Sequence, residues 1–142
     1  MIGKYPAKLD DKNRLFVPAK LREELGADFF VTLGVNCGHS CLTIYKASDW
    51  QTLSENYNNL PISQKGAATS LIFMNATECE PDKQFRFSLT PFLLNYAGIK
   101  RDVMIVGRAG QAEIWACEEF AAFEAENLTP EKLLASLEAI GL

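Results

Sequence analysis

Histidine is nearly absent from this sequence: His39 is the only one in 142 residues. Acid–base or covalent catalysis needs a set of titratable groups around a nucleophile, and no nucleophile motif accompanies that histidine. No Gly-rich run of the phosphate-cradling kind is present either. The expectation is therefore a protein that is not an enzyme and carries no cofactor. Cysteine is sparse, with four residues. Cys37-Gly38-His39-Ser40-Cys41 does bring two thiols and an imidazole together. A zinc site wants four ligands, usually as two pairs, and Cys79 and Cys117 stand alone. The segment reads as a hairpin loop without metal, and Cys79 as a small buried hydrophobe. Long apolar runs are missing too. The runs present are short, such as Val103-Met104-Ile105-Val106, far below the roughly 20 residues needed to cross a bilayer. The opening MIGKYPAKLDDK lacks the apolar core of a signal peptide. A cytoplasmic protein with reduced thiols and no membrane contact is expected.

There is also no global excess of positive charge. The net charge is −4, which at first argues against nucleic acid. The distribution is uneven. Residues 1–22 hold six Lys or Arg against two Asp, while residues 111–142 hold seven Glu against the single Lys132. A locally basic face can exist on an acidic chain, because charge acts within a Debye length of about 8 Å. Taken alone, the charge pattern reads as a mixed solvated surface.

What the sequence does have is an internal repeat. "DDKNRLFVPAKLRE" (10–23) returns as "PDKQFRFSLTPFLL" (81–94). Asp10 falls on Asp82, Arg14 on Arg86, Val17 on Leu89, Leu21 on Leu93 and Gly26 on Gly98. FFVTLG (29–34) then matches VMIVG (103–107), and IYKASDW (44–50) matches IWACEEF (114–120). Each copy reads as strand, charged turn, strand, short helix, strand, turn, strand, helix. Leu15–Val17 and Phe87–Leu89 are strand-like. Pro18 suits the first position of a helix AKLREEL closed by Gly26 in a left-handed conformation. Thr90, Pro91 and Gly98 repeat those signals. Phe29–Leu33 with Leu42–Tyr45, and Val103–Val106 with Glu113–Trp115, read as strand pairs. Ser48 or Asp49 caps a helix through about Asn58, Pro61 breaks it, and another runs toward Phe73. A helix is expected over Glu118–Glu126. Thr129-Pro130-Glu131 opens a last one, with Leu133, Leu134, Leu137 and Ile140 on a stripe. Tyr96, Trp50 and Trp115 are assigned to the core. The class is α+β, two pseudo-repeated small β units flanked by helices. The division expected is 1–50 for the first unit, 51–76 for connecting helices, 77–122 for the second unit and 123–142 for a C-terminal helix.

"DDKNRLFVPAKLREELG" (10–26), "NATECEPDKQFR" (75–86) and "NYAGI" (95–99) resemble the MraZ family, transcriptional regulators of the bacterial division and cell-wall gene cluster. The likeness covers most of the chain and both Asp-x-x-x-Arg motifs. It implies swapped-hairpin units of the AbrB type forming a small β-barrel, assembled as a homo-oligomeric ring. It implies a repressor, nucleoid-associated, that binds double-stranded DNA at repeated boxes in its own promoter. Association with the methyltransferase encoded next door is implied as well.

On this reading Arg14 and Arg86 are the first candidates for DNA contact, since a guanidinium can fork onto a guanine edge or a phosphate. An internal bridge to Asp10 and Asp82 that braces each turn fits the spacing equally well. Lys12 and Asn13 in the first turn, and Lys83 and Gln84 in the second, complete the two motifs. Lys4 and Lys8 widen the basic face for phosphate contacts, which fix register without reading sequence. Lys20 and Arg22, beside Glu23 and Glu24, read as ordinary surface charge. The family usually has Gly where Asn13 and Phe85 stand, and differs at Thr90-Pro91 and Leu94. Asn tolerates a left-handed backbone, so the first turn keeps its shape. Phe carries a penalty there, so an altered second turn is expected, with the first half as the principal DNA reader. The competing reading is a ring-forming interaction scaffold with weakened DNA binding, favoured by the eroded second motif and the acidic C-terminal helices. A cysteine-based metal or redox module and a one-unit AbrB-type antitoxin are the lesser alternatives.

Overall fold

A computed structural model describes residues 1–142. The first unit contributes strands β1 (Lys4–Lys8), β2 (Arg14–Phe16), β3 (Phe29–Asn36) and β4 (His39–Lys46), with a one-turn helix α1 (Arg22–Leu25) between β2 and β3. Helices α2 (Ala47–Asn58) and α3 (Ala67–Met74) follow. The second unit repeats the order with β5 (Thr77–Cys79), β6 (Arg86–Ser88), α4 (Pro91–Tyr96), β7 (Asp102–Arg108) and β8 (Gln111–Ala116), then α5 (Cys117–Asn127) and α6 (Pro130–Ala139).

The two units exchange strands. β1 of the first pairs antiparallel with β7 of the second, and β5 of the second pairs with β3 of the first. β4 and β8 meet at the centre, with Leu42 opposite Ile114. The result is a sheet ordered β1-β7-β8-β4-β3-β5, with a separate two-stranded ribbon of β2 and β6. This ladder is open at both edges and does not close into the barrel implied by the resemblance. Pro6 in β1 has no amide to donate, and β5 is only three residues long, so neither edge extends the pairing.

Alternation decides which side chains enter the core. In the ribbon, Leu15 pairs with Phe87 and both point inward, where Phe87 meets Phe29 edge-on at 5.1 Å between ring centres. Val17, Leu21 and Leu25 from one half and Leu89, Leu93 and Ala97 from the other line the same core. Burying each such Leu or Val contributes about 1.5–3 kcal/mol. Two aromatic clusters sit where helices cover the sheet. Trp50 stacks on Phe30 at 5.0 Å and touches Phe73 on α3, while Trp115, fully buried, packs on Phe120 and Phe123 of α5. Tyr96 is half-buried and donates its hydroxyl to the Gly34 carbonyl at 2.8 Å.

Several local expectations shift. The segment after Pro18 is helical through AKLREEL as expected, but its first turn, Ala19–Leu21, is 3-10 and only Arg22–Leu25 is α. Gly26 at φ 75° and Gly98 at φ 68° close α1 and α4, a region open to glycine. Thr90 and Thr129 both cap, accepting from the amides of Leu93 and Lys132. Neither Ser48 nor Asp49 caps α2, whose N-cap is Lys46 without a side-chain bond. The β3–β4 hairpin runs to a two-residue tip, Cys37-Gly38, with φ of 49° and 80°. Positive φ at both positions matches the twist of the flanking strands, so the strands reach beyond Leu33 and Leu42.

Candidate nucleic-acid interface

Both charged turns are built the same way. In the first, Oδ1 of Asp10 accepts from the amides of Lys12 and Arg14, each at 2.9 Å, and Oδ2 accepts from Arg14 Nε at 2.7 Å. In the second, Oδ1 of Asp82 accepts from the amides of Gln84 at 2.9 Å and Arg86 at 3.0 Å, and Oδ2 from Arg86 Nε at 2.9 Å. These bonds hold both carboxyls below the usual Asp range. At Asp10 desolvation opposes the shift, but the bonds from Arg14 and the Lys12 amide together outweigh it. At Asp82 the Arg86 amide leads, against desolvation, with help from Gln84 and the Arg86 side chain.

Bracing does not use up the arginines. Each is held through Nε alone, so its two terminal amino groups have no hydrogen-bond partner within the chain. The Asp fixes the direction of the guanidinium and leaves its outer edge open to a phosphate or a base.

The second turn is not altered, contrary to the sequence expectation. Phe85 sits at φ 61°, next to the 57° of Asn13, and donates its amide to the Asp82 carbonyl at 2.9 Å as Asn13 does to Asp10 at 3.1 Å. A left-handed Phe costs roughly 1–2 kcal/mol of backbone energy. The compensation comes from the other half of the chain. The Arg22 guanidinium lies 4.0 Å from the Phe85 ring centre while its Nε donates to the Val17 carbonyl at 3.0 Å. Arg22 is therefore a packing residue for the second turn and not plain surface charge.

The ribbon brings Arg14 and Arg86 together. Leu15 and Phe87 point into the core, so Arg14, Phe16, Arg86 and Ser88 share the outward face. Because β2 and β6 are antiparallel, the two turns lie at opposite ends of this ribbon. Lys12 and Asn13 are exposed at one end, Lys83 and Gln84 at the other, and neither lysine is in an ion pair. Lys4 and Lys8 are elsewhere, on the edge strand β1, in a groove with Phe16, Pro18 and Lys20. Lys4 is paired with Glu124 of α5 at 2.9 Å, and Lys8 is 4.0 Å from Asp102. Period-two alternation in R-L-F and R-F-S places Phe16 and Ser88 on the outward face, a signal that sequence reading passed over. Lys100 and Arg101 also border the first turn, in a recess with Asp10, Asp11 and Asn13. They are some ninety residues away in the chain, and no local pattern marks them.

The Cys-Gly-His-Ser-Cys segment is a hairpin whose histidine is engaged. His39 Nδ1 is 2.6 Å from Glu119 Oε1, and Nε2 is 2.7 Å from Glu126 Oε2, both on α5. Two carboxylates on two ring nitrogens favour imidazolium. The bond to Glu126, then that to Glu119, raise the His39 pKa against desolvation. Cys41 is buried against the Glu113 carboxylate, and burial, reinforced by that charge, pushes its thiol up to about 12. No three His, Cys, Asp or Glu side chains are grouped to hold a metal ion, and no helix is long and apolar enough to cross a membrane.

Comparison with known proteins supplies the last observation. A family model described as "MraZ protein, putative antitoxin-like" matches residues 1–71 and again 72–135. The chain is 37% identical over 145 residues to the transcriptional regulator MraZ of Caldicellulosiruptor bescii, covering all of this chain and 99% of that one. It is 35% identical over 144 residues to that of Halothermothrix orenii and 34% over 143 residues to that of Clostridium tetani, with 99% of each chain covered.

Proposed function

The chain belongs to the MraZ family, and from that premise we propose that it is a DNA-binding transcription regulator. The observation that carries this reading is the pair of Asp-braced arginines on one outward ribbon face, each with its outer guanidinium edge unoccupied. Arg14, with Lys12 and Asn13 at the tip of the first turn, is the principal reader. Arg86 joins it across the ribbon, and Lys83 and Gln84 are subsidiary. Asp10 and Asp82 position the arginines. Lys4 and Lys8 flank the face, with Lys4 held back by Glu124.

The finer reading is a cytoplasmic, nucleoid-associated repressor of the division and cell-wall cluster. It binds repeated promoter boxes as a homo-oligomeric ring and associates with the methyltransferase encoded beside it. A ring presents many copies of one turn to many copies of one box, so weak contacts sum on a single DNA. The exposed stripe of Leu133, Leu134 and Leu137 on α6 supports self-association, and equally the scaffold alternative. We further propose that residues 1–50 and 77–122 are the two repeat units, joined by 51–76 and followed by 123–142.

Fluorescence anisotropy with a duplex from upstream of the gene tests this. Wild type should bind that duplex in preference to a random one, and Lys12→Ala/Arg14→Ala should lose the preference. Equal binding of both duplexes by wild type would move the scaffold reading ahead. Unchanged preference in the variant would refute the assignment to the first turn.

A further inference from the structure

The two turns have one backbone geometry and opposite electrostatic surroundings. Because the halves exchange strands, each turn is bordered by the loop that follows the short helix of the other half. The first turn receives Lys100 and Arg101, from between α4 and β7, and the Leu9 amide donates to the Arg101 carbonyl at 2.9 Å. The second turn receives Gly26 and Ala27, from between α1 and β3, followed by Asp28. The strands that lead into the turns differ in the same sense. β1 carries Lys4 and Lys8, and its counterpart β5 and the residue after it carry Glu78 and Glu80. Those two glutamates and Asp28 crowd one another: desolvation first, then Glu80 and Asp28, raise the Glu78 pKa.

We propose that Lys100 and Arg101 form the phosphate-binding half of the first-turn site, so that DNA is held by a composite surface from both halves of the chain. The proposal rests on the DNA-binding reading above and adds to it the residues that neutralise phosphodiester charge. Both side chains are exposed, and neither takes part in an ion pair or a side-chain hydrogen bond within the chain. Around the first turn, Lys12, Arg14, Lys100 and Arg101 face Asp10 and Asp11; Lys100 and Arg101 also line a second recess with Asp102, Glu118 and Glu119, of which Asp102 is 4.0 Å from Lys8 and Glu119 is bonded to His39. Around the second, Lys83, Arg86 and Arg22, whose guanidinium lies 4.0 Å from the Phe85 ring centre, face Asp28, Glu78, Glu80 and Asp82. Both Asp–Arg braces are internally neutral, so the remaining charge decides the field: Lys12, Lys100 and Arg101 against Asp11 at the first turn, Lys83 and Arg22 against three carboxylates at the second. A polyanion is therefore drawn to the first turn more strongly than to the second, within a Debye length of about 8 Å. Equal turn geometry with inverted charge gives the duplex one orientation on the subunit.

Each phosphate neutralised contributes about −0.9 to the slope of log K against log salt. The test is anisotropy across a salt series with two fluorescein-labelled duplexes, one from upstream of the gene and one random. Lys100→Ala/Arg101→Ala should make the slope shallower by about 2 for both duplexes while keeping the preference between them. Lys65→Ala/Lys132→Ala removes the same charge elsewhere and should keep the wild-type slope. Unfolding midpoints verify that all variants are folded. Wild type that binds while Lys100→Ala/Arg101→Ala shows the same slope overturns this proposal alone. Wild type with no salt-dependent binding overturns the DNA-binding reading with it. An equal loss in the Lys65/Lys132 control also overturns it, since net charge and not position would then be responsible.

Discussion

Phe85 offers a measurable balance between backbone strain and side-chain packing. At φ 61° a phenylalanine carries about 1–2 kcal/mol of strain that glycine does not. The ring is 45% exposed, so it buries about half of what a fully buried Phe would, on the order of 1 kcal/mol. Its contact with the Arg22 guanidinium at 4.0 Å adds about 0.5–1 kcal/mol at a partly exposed site. Phe85→Ala loses the ring and keeps the strain, and should destabilise by about 2 kcal/mol. Phe85→Gly relieves the strain but loosens the unfolded chain by roughly 0.5–1 kcal/mol, so its net cost should be smaller, about 1 kcal/mol. The assay is urea unfolding with Arg22→Ala and the two double variants. The cycle should give a coupling of about 0.5–1 kcal/mol between Arg22 and Phe85. If Phe85→Gly stabilises by about 1 kcal/mol or more, or the coupling is indistinguishable from zero, the ring does not compensate for the turn.

Other expectations follow from single contacts. Thr90→Ala removes the cap on the Leu93 amide and should cost about 1 kcal/mol in the same unfolding assay, against a few tenths for Thr90→Gly. The raised His39 pKa means that its contribution to stability is fully present below its unfolded value of about 6.5 and is lost as pH rises through the higher folded value. Thermal melts from mildly acidic to alkaline pH should show that loss in wild type and not in His39→Gln. The lowered Asp10 and Asp82 values act in the other direction: their contribution is present above about 3.9 and lost as pH falls through the folded values. With its thiol at about 12, Cys41 should resist alkylation at pH 8 in the native protein while exposed Cys37 reacts, as tandem mass spectrometry locating the label within their shared tryptic peptide would read.

Much of the element order could be read from local chemistry, because each signal acts within a few residues. Pro91 after Thr90, glycine at 26 and 98, and apolar Leu15 and Phe87 each act through their own backbone or their own strand. The strand exchange itself was accessible only through family resemblance, since no local rule tells β1 to pair with β7 in place of β3. One misreading and one omission share that cause. Phe85 looked incompatible with its turn because the compensating Arg22 lies in the other half. His39 lies in the expected hairpin, but its partners Glu119 and Glu126 approach from a helix some eighty residues on. The Asp–Arg spacing raised both bracing and DNA contact, and the geometry shows why they need not exclude each other: one edge of the guanidinium serves the brace and the other is left free.

Hydrogen exchange of the whole protein, with and without a saturating duplex from upstream of its gene, addresses the interface most directly. The account predicts added protection in peptides covering 9–15 and 98–102, and less in the peptide covering 78–86. Protection centred on 78–86 with none at 9–15 would contradict it, because the acidic turn would then be the one holding DNA.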